Sequence, residues 1–497
     1  DEPDTVDFQC TTIFYDTAYC VFDRLVDTAV KHNGSIATEP SLARTWEVSE
    51  DGRTYTFHLN EGVKFSNGSP LTSSDVRYTL TRLLTHPDSR NSDIAEPIKG
   101  ARELENGSAK TLAGFREISD LDFSITLEEP FEAFLACLSM PGASILDEET
   151  TEEAGDSFGR DVEHTIGTGS YILQEWTPGK GMIYTENKDC WKGPPNNKGL
   201  DVSFEQDATT MRRLFDEGDL DVLDLDDIDN AADYYIHGDI YQNRLHTAQQ
   251  VGIEYVALNE SIEPLDDVRV RKAMQLALDR QMLLEVVYDG EGTVEDGIFP
   301  RGLYGYNPSL ADIPYDPDQA ASLLAQAGYP DGFDLTISVR SDSNHREVKL
   351  AGLIAGMWKK AGINAVIDIM SYDEFMSMRN DGRLACYSAT WIADYNDPDN
   401  FIYTFFGSPE KTVSRSLCFP DEEIMKRVRD ARTITDPDGR IGEYRQLEKI
   451  IAQDDAAWIP LFSRKKIYVT SERLEGFSNA WTGGFFAKLP EMSVKED

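Results

Sequence analysis

A strand, a helix and a second strand follow one another in the second half of the chain, and this succession constrains the fold more than any other feature. Leu335-Thr-Ile-Ser-Val-Arg340 reads as a strand, apolar residues at helical spacing continue through Trp358, and Val366-Ile-Asp-Ile369 reads as the next strand. Strands separated by a helix need a crossover, so βαβ units in a largely parallel sheet are expected here. Upstream, Val270, Ala273, Met274, Ala277 and Leu278 recur at helical spacing, and the aliphatic residues from Leu283 to Val287 continue it. Tyr315-Asp-Pro-Asp318 caps a helix that Gly328 stops. A helix over 440–451 and strands at Trp458-Ile-Pro-Leu-Phe462 and Ile467-Tyr-Val469 close the chain. Its 497 residues exceed what one core supports, so two or three domains are expected, with two α/β lobes around a ligand the simplest architecture.

The first third has a different rhythm. Residues 18–26 place Val21, Phe22, Leu25 and Val26 at helical spacing. Tyr55, Phe57 and Leu59 alternate with polar neighbours after Asp51-Gly52, a hairpin-turn pair, and Asn67-Gly68 repeats that turn chemistry. Thr72-Ser-Ser-Asp75 is a capping box ahead of Val76, Leu80, Leu83 and Leu84 on one helical face. Leu121 to Leu127 alternates again, so residues from about 40 to 165 form a compact α+β insert. Ile166-Gly-Thr-Gly-Ser-Tyr171 lacks the order and the lysine of a phosphate cradle and reads as a tight strand entry.

Charge and composition remove several function classes. A formal charge of −42 argues against nucleic acid or an anionic membrane as partner, because phosphate binding needs clustered cations. The acidic run from Asp221 to Asp233 has no calcium-loop glycine or glutamate in register and reads as solvated surface. No apolar run reaches the ~18 residues of a membrane span. The opening Asp-Glu-Pro-Asp-Thr-Val-Asp, without Met, reads as a processed start whose export or lipid-anchor segment is gone. Six cysteines in such a length are no disulfide framework; bridges such as Cys10 to Cys20 or Cys386 to Cys418 stay open. No histidine pair has metalloprotease spacing, no Gly-x-Ser-x-Gly occurs, and 89 acidic residues make any carboxylate pair uninformative. The reading is of a protein without catalysis and without cofactor.

Tyr387 to Phe401 is where recognition chemistry gathers. A short apolar strand ends in Trp391, followed by Asp394, Asn396 and an Asp397-Pro398 turn, so an aromatic wall and a carboxylate could face one cavity. For Trp391 core packing stands equally open, and for the carboxylates a solvated strand end does.

Several stretches, in order along nearly the whole chain, resemble the family-5 extracellular solute-binding proteins, the peptide, dipeptide and nickel receptors of ABC importers. They are Glu2 to Asp7, Gly62-Val-Lys-Phe-Ser-Asn-Gly-Ser-Pro-Leu-Thr-Ser-Ser-Asp-Val76, Gly167 to Tyr171 with Asn187-Lys-Asp-Cys-Trp191, and Leu258-Asn259 followed by Asp267 to Ala273 and Ala277-Leu-Asp-Arg280. The resemblance implies an α/β two-lobed, periplasmic-binding-protein-like (Venus flytrap) fold with an extra α+β domain. Lobe I would be 1–38, 166–258 and 464–497, the extra domain 39–165, and lobe II 259–463. Hinge strands would lie near Tyr255 to Asn259 and Leu461 to Lys465, closing the lobes over a cleft.

Within the family, Trp391-Ile-Ala-Asp-Tyr-Asn-Asp-Pro398 is similar to the oligopeptide-binding branch, whose aspartate holds the peptide α-ammonium. That role falls on Asp394, with Trp391 and Asn396 beside it. Ala389 and Thr390 would offer backbone groups to an extended peptide, and Thr12 would do so from the other lobe. By position, Arg379 or the pair His345-Arg346 would meet the peptide carboxylate, whereas Ser388 stands where the branch has a second arginine. Some members have a disulfide where Tyr255 and Ile392 stand here. The resemblance thus implies an extracellular, periplasmic or lipid-anchored, monomeric subunit that delivers short peptides to a membrane-embedded ABC permease; the alternative is a non-peptide solute, such as a metal chelate or sugar, in the same fold.

Overall fold

Turn and cap chemistry act locally as their residue types dictate. Gly52 takes φ 68° between the antiparallel strands Ala43–Val48 and Thr54–Leu59, which bury Tyr55, Phe57 and Leu59. Thr72 accepts from the Ser74 N–H while Asp75 Oδ2 accepts from the Thr72 N–H (2.8 Å), opening the helix Ser73–Thr85. These elements belong to a computed structural model that describes residues 2–12, 14–30, 36–228, 232–341 and 345–495. The chain forms two compact units, Asp1–Ala248 with Lys466–Asp497, and Gln249–Lys465.

In the first unit the strands Ala43–Val48, Thr54–Leu59, Asp122–Thr126 and Phe115–Glu117 lie side by side in that order. A second sheet joins Tyr171–Thr177, Gly181–Glu186 and Gly199–Ser203. The helix expected over 18–26 is instead Asp16–Val21, because the backbone turns extended at Phe22 and Val26 starts a strand paired with Ile36–Pro40. Gly167 explains the loop before Tyr171: a Cβ there would stand 2.0 Å from the Val21 carbonyl oxygen, so the loop is a close backbone approach. The acidic run is more than solvated surface. Asp221 binds Arg473 (2.6 Å), and Asp224 and Asp226 hold Lys466 (2.6 and 3.0 Å); residues 229–231 of the run lie outside the described residues.

In the second unit the sheet is mixed, which corrects the expectation of a largely parallel one. Phe333–Arg340 runs parallel to Ile363–Met370 on one side and to Cys386–Ile392 on the other. Gly252–Leu258 is antiparallel to both Cys386–Ile392 and the 458–465 part of Trp458–Thr470. The crossover helices His345–Lys360 and Tyr372–Asn380 take the chain in opposite directions along the sheet, so right-handed connections place them on opposite faces. Val256, Leu258, Ile337, Val339, Leu350, Ile354 and Trp358 form the core on the His345–Lys360 side.

The two strands expected at the end are one 13-residue strand, Trp458–Thr470. Its polar centre stays in the strand because each charge finds a partner: Arg464 on Glu254 (2.8 Å), Lys465 on Glu291 (2.9 Å) and Lys466 on Asp224. The chain passes between the units within this strand, at 465/466, and again at 248/249.

Candidate functional site

Every candidate in the second unit is positioned by the Cys386–Ile392 strand. The Ala393 N–H donates to the Val251 carbonyl (2.8 Å) and the Asn259 N–H to the Ala385 carbonyl (3.0 Å). With the register between them, this assigns the backbone groups of Tyr387, Ala389 and Trp391 to Gly252–Leu258. The even-numbered residues face the other way. Cys386 meets Phe333–Arg340, but that pairing stops at Tyr387. Thr390 and Ile392 therefore point N–H and C=O, and Ser388 its C=O, along an edge that no strand among the described residues of this unit occupies. Ala389, expected to offer backbone groups, spends them on Tyr255; Thr390 keeps its own, while its hydroxyl donates to Glu254 (2.7 Å).

The loop after the strand is held rigid from below. Asp397 receives two guanidinium bonds from buried Arg440 (2.7 and 2.8 Å) and accepts the Asp399 N–H (2.9 Å). Burial works against the charge of Arg440, but Asp397 outweighs it and pushes the guanidinium pKa up. Asp399 takes the Tyr395 and Tyr444 hydroxyls (3.0 and 2.9 Å) and Arg432 (3.1 Å). Both aspartates thus shape the turn and the start of the helix Asp399–Phe406. Asn396 is tied as well, accepting the Tyr304 N–H (2.8 Å). Asp394 is the exposed carboxylate of this loop; Asn400 orients it, donating to Oδ2 (3.0 Å) and accepting the Asp394 N–H (3.0 Å).

Trp391 combines both readings left open by its sequence. It is half-buried, packs edge-on against Phe405 (centroids 5.1 Å apart, 84°) and donates to Asn400 (3.3 Å). Arg415 lies over its ring, 4.9 Å from the centroid, and 5.0 Å from that of Phe405. No sequence signal marks Arg415, which follows the short helix Pro409–Val413 in an irregular loop. Ser416 (φ 48°) and Cys418 (φ 46°) take left-handed backbone there, a conformation that costs energy away from glycine. The loop is pinned by the Ser416 hydroxyl on the Arg379 carbonyl (2.8 Å) and by the Tyr387 hydroxyl on the Arg415 carbonyl (2.7 Å).

Arg379 is half-buried near the end of Tyr372–Asn380 and bonds the Asn380 side chain (3.1 Å). Burial, with the nearby Arg415 charge adding to it and Tyr387 opposing, lowers its pKa. Among the described residues neither Arg379 nor Arg415 has a carboxylate at ion-pair distance. Arg379, whose charge burial and the nearby Arg415 disfavour, thus shares one face of the strand edge with Arg415.

His345 and Arg346 do not join them. His345 is exposed at the start of its helix, and Arg346 lies over Tyr288 (5.7 Å), the ring that also meets Arg464, the partner of Glu254. Those residues belong to the Thr390 face of the strand, opposite Trp391 and Arg379. Thr12 is exposed in the first unit, where Thr11 accepts from Tyr15 (2.9 Å) and Asn91 (2.8 Å). None of the six cysteines is in a disulfide, so the bridges left open by the sequence do not form.

The open strand edge is thus bordered by a ring, an oriented carboxylate and two guanidiniums that have no carboxylate at ion-pair distance among the described residues. The fold that carries it is a mixed α/β fold of the two-lobed binding-protein class. The chain belongs to the bacterial extracellular solute-binding proteins, family 5, whose middle-region profile matches residues 37–412. It is 29% identical over 471 residues to heme-binding protein A of Haemophilus influenzae, covering 92% of this chain and 84% of that protein. It is 28% identical over 466 residues to the dipeptide-binding protein of Escherichia coli, covering 90% and 84%. A solved oligopeptide-binding protein of Borrelia burgdorferi shares the fold at a TM-score of 0.85 and 23% identity, covering 100% of this chain and 98% of that one. Among the described residues no helix is long and apolar enough to cross a membrane.

Proposed function

We propose that this protein is the extracellular substrate-binding subunit of an ABC importer and captures short peptides on the free edge of Cys386–Ile392. The free edge carries the reading: Thr390 and Ile392, with the Ser388 carbonyl, leave backbone donors and acceptors for an extended chain to pair with, as a neighbouring strand would. Asp394 receives the peptide ammonium, because a cation removed from water needs a carboxylate held in place, and Asn400 holds it. Arg379 and Arg415 receive the carboxylate, Arg415 supplying the second cation that Ser388 lacks. Trp391 walls the ligand. The dipeptide-binding relative supports the ligand class. The protein works as a monomer at the cell surface, lipid-anchored or periplasmic, and passes its ligand to the permease. Calorimetric titration with a mixed short-peptide library tests the reading: binding is expected in the native protein and lost in Asp394→Ala. Equal binding by that variant sinks the ammonium assignment.

The relative that binds heme favours a second reading, a carboxylate-bearing metal chelate in the same site. A flat ring could stack near Trp391 while Arg379 and Arg415 take its carboxylates. Titration with hemin, followed by its visible absorption, separates the two: saturable heme binding with no response to any peptide selects the chelate.

A further inference from the structure

Cys10 has no disulfide partner, and its surroundings are those of a metal ligand. Asp7, Cys10 and His86 bring a carboxylate oxygen, a sulfur and an imidazole nitrogen within 4.8 Å of one another. Cys10 Sγ stands 3.1 Å from Asp7 Oδ2 and 3.4 Å from His86 Nδ1. On a tetrahedral ion, sulfur at about 2.3 Å and nitrogen at about 2.0 Å lie roughly 3.5 Å apart. The sulfur and nitrogen here already have nearly that separation.

All three ligands sit on backbone that other contacts hold still. The Cys10 N–H closes a turn on the Asp7 carbonyl (3.0 Å). Asn91 Nδ2 donates to the carbonyls of Phe8, Gln9 and Thr11 (3.0, 3.4 and 2.8 Å), and Gln9 Nε2 donates to the Thr79 carbonyl (3.1 Å). His86 caps the end of Ser73–Thr85 with its N–H on the Arg82 carbonyl (2.9 Å). Arg82 donates twice to Asp7 (2.6 and 3.2 Å), orienting the carboxylate as outer hydrogen bonds do for metal ligands. The Asp88 N–H donates to His86 Nδ1 (3.2 Å), which marks Nδ1 as the unprotonated nitrogen; ion binding exchanges this hydrogen bond for the metal–nitrogen bond.

We propose that Asp7 Oδ2, Cys10 Sγ and His86 Nδ1 bind one zinc-class divalent transition ion per chain, with a fourth position open to water. Thiolate and imidazole select zinc-like ions over magnesium and calcium, which prefer oxygen. The ion takes the place of the thiol proton. The S–H bond breaks, its proton leaves to solvent, the metal–sulfur bond forms, and no electron changes hands. The bound ion ties the segment leading to Thr12 to the helix Ser73–Thr85. This inference is independent of which solute the protein carries.

Metal-stripped protein is titrated with Zn²⁺, and with Co²⁺ as a spectroscopic substitute, against excess Mg²⁺. The expected result is one tight Zn²⁺ per chain, and with Co²⁺ a thiolate-to-cobalt charge-transfer absorption that is absent in Cys10→Ser and weakened in His86→Gln. Zn²⁺ affinity should fall more than about tenfold in either variant. Co²⁺ bound without that absorption, or Zn²⁺ bound equally by the native protein and Cys10→Ser, assigns binding to the acidic surface and overturns the site. Should Cys10→Ser not fold, alkylation of the native protein located by peptide mass reads the same point: Zn²⁺ must protect Cys10 and not half-buried Cys418. Equal alkylation of Cys10 with and without Zn²⁺ overturns the proposal.

Discussion

Arg415 holds its guanidinium 4.9 Å from the centre of the Trp391 ring, on the same face of the strand edge as Arg379. An aromatic face compensates a cation only in part, by about 0.5–2 kcal/mol. No carboxylate stands at ion-pair distance among the described residues, which is why the proposed reading gives these arginines the ligand's anion.

Arg415→Gln keeps a polar side chain over Trp391 and removes the charge. Peptides with a free carboxylate should bind roughly 10- to 100-fold more weakly, the size of a hydrogen bond to a charged group, while amidated peptides should change little. Calorimetry on the paired peptides reads the difference; an equal loss for both would place Arg415 in the scaffold instead.

Asp394→Asn keeps the hydrogen-bonding shape beside Asn400 and discharges the carboxylate. Binding of peptides with a free amino terminus should drop by about 10-fold or more, with N-acetylated peptides unaffected. Their relative affinities in a competition assay check the assignment.

Asp397→Ala leaves buried Arg440 without its counter-charge. A destabilisation of about 3–5 kcal/mol is expected in urea unfolding, and the double variant Asp397→Leu with Arg440→Met should recover most of it. If the double variant is no more stable than the single one, the pair contributes attraction beyond mutual neutralisation.

Glu448 sets a pH dependence in the second unit. Burial pushes its carboxyl up to about 8, although the Ile298 and Phe299 N–H groups on Oε1 (2.8 and 2.7 Å) favour the charge. An acid with a raised folded pKa binds its proton more tightly when folded. Its contribution is therefore complete below the unfolded value of about 4.3 and declines as pH rises towards 8, by at most about 1.4 kcal/mol per unit. Glu448→Gln should flatten the fall in melting temperature between pH 5 and pH 8, on the order of the range over which the group titrates. An unchanged slope would locate the pH dependence elsewhere.

Much of the fold was legible because its signals act over a few residues. The Thr72 capping box, the Asp51-Gly52 turn, the Pro317 start of the helix Pro317–Gln326 and the crossover after Arg340 form as the sequence implies. The misreadings have one cause. Val26 and the charged run Ser463 to Lys466 are ambiguous on local grounds, and each is decided by a partner distant in sequence: the Ile36–Pro40 strand for the first, and Glu254, Glu291 and Asp224 for the second.

By itself the sequence determined the family, the α/β class and the stretch from Tyr387 to Phe401 as the place to look, because motif order and periodicity survive without coordinates. Only the tertiary structure decided which backbone groups of that stretch are free, that Arg346 and Arg379 fall on opposite faces, and that Arg415 joins Trp391. Register and strand order set those outcomes. A residue's parity in a sheet has meaning only once its neighbours are known, and a loop arginine finds its ring through packing that no local pattern encodes.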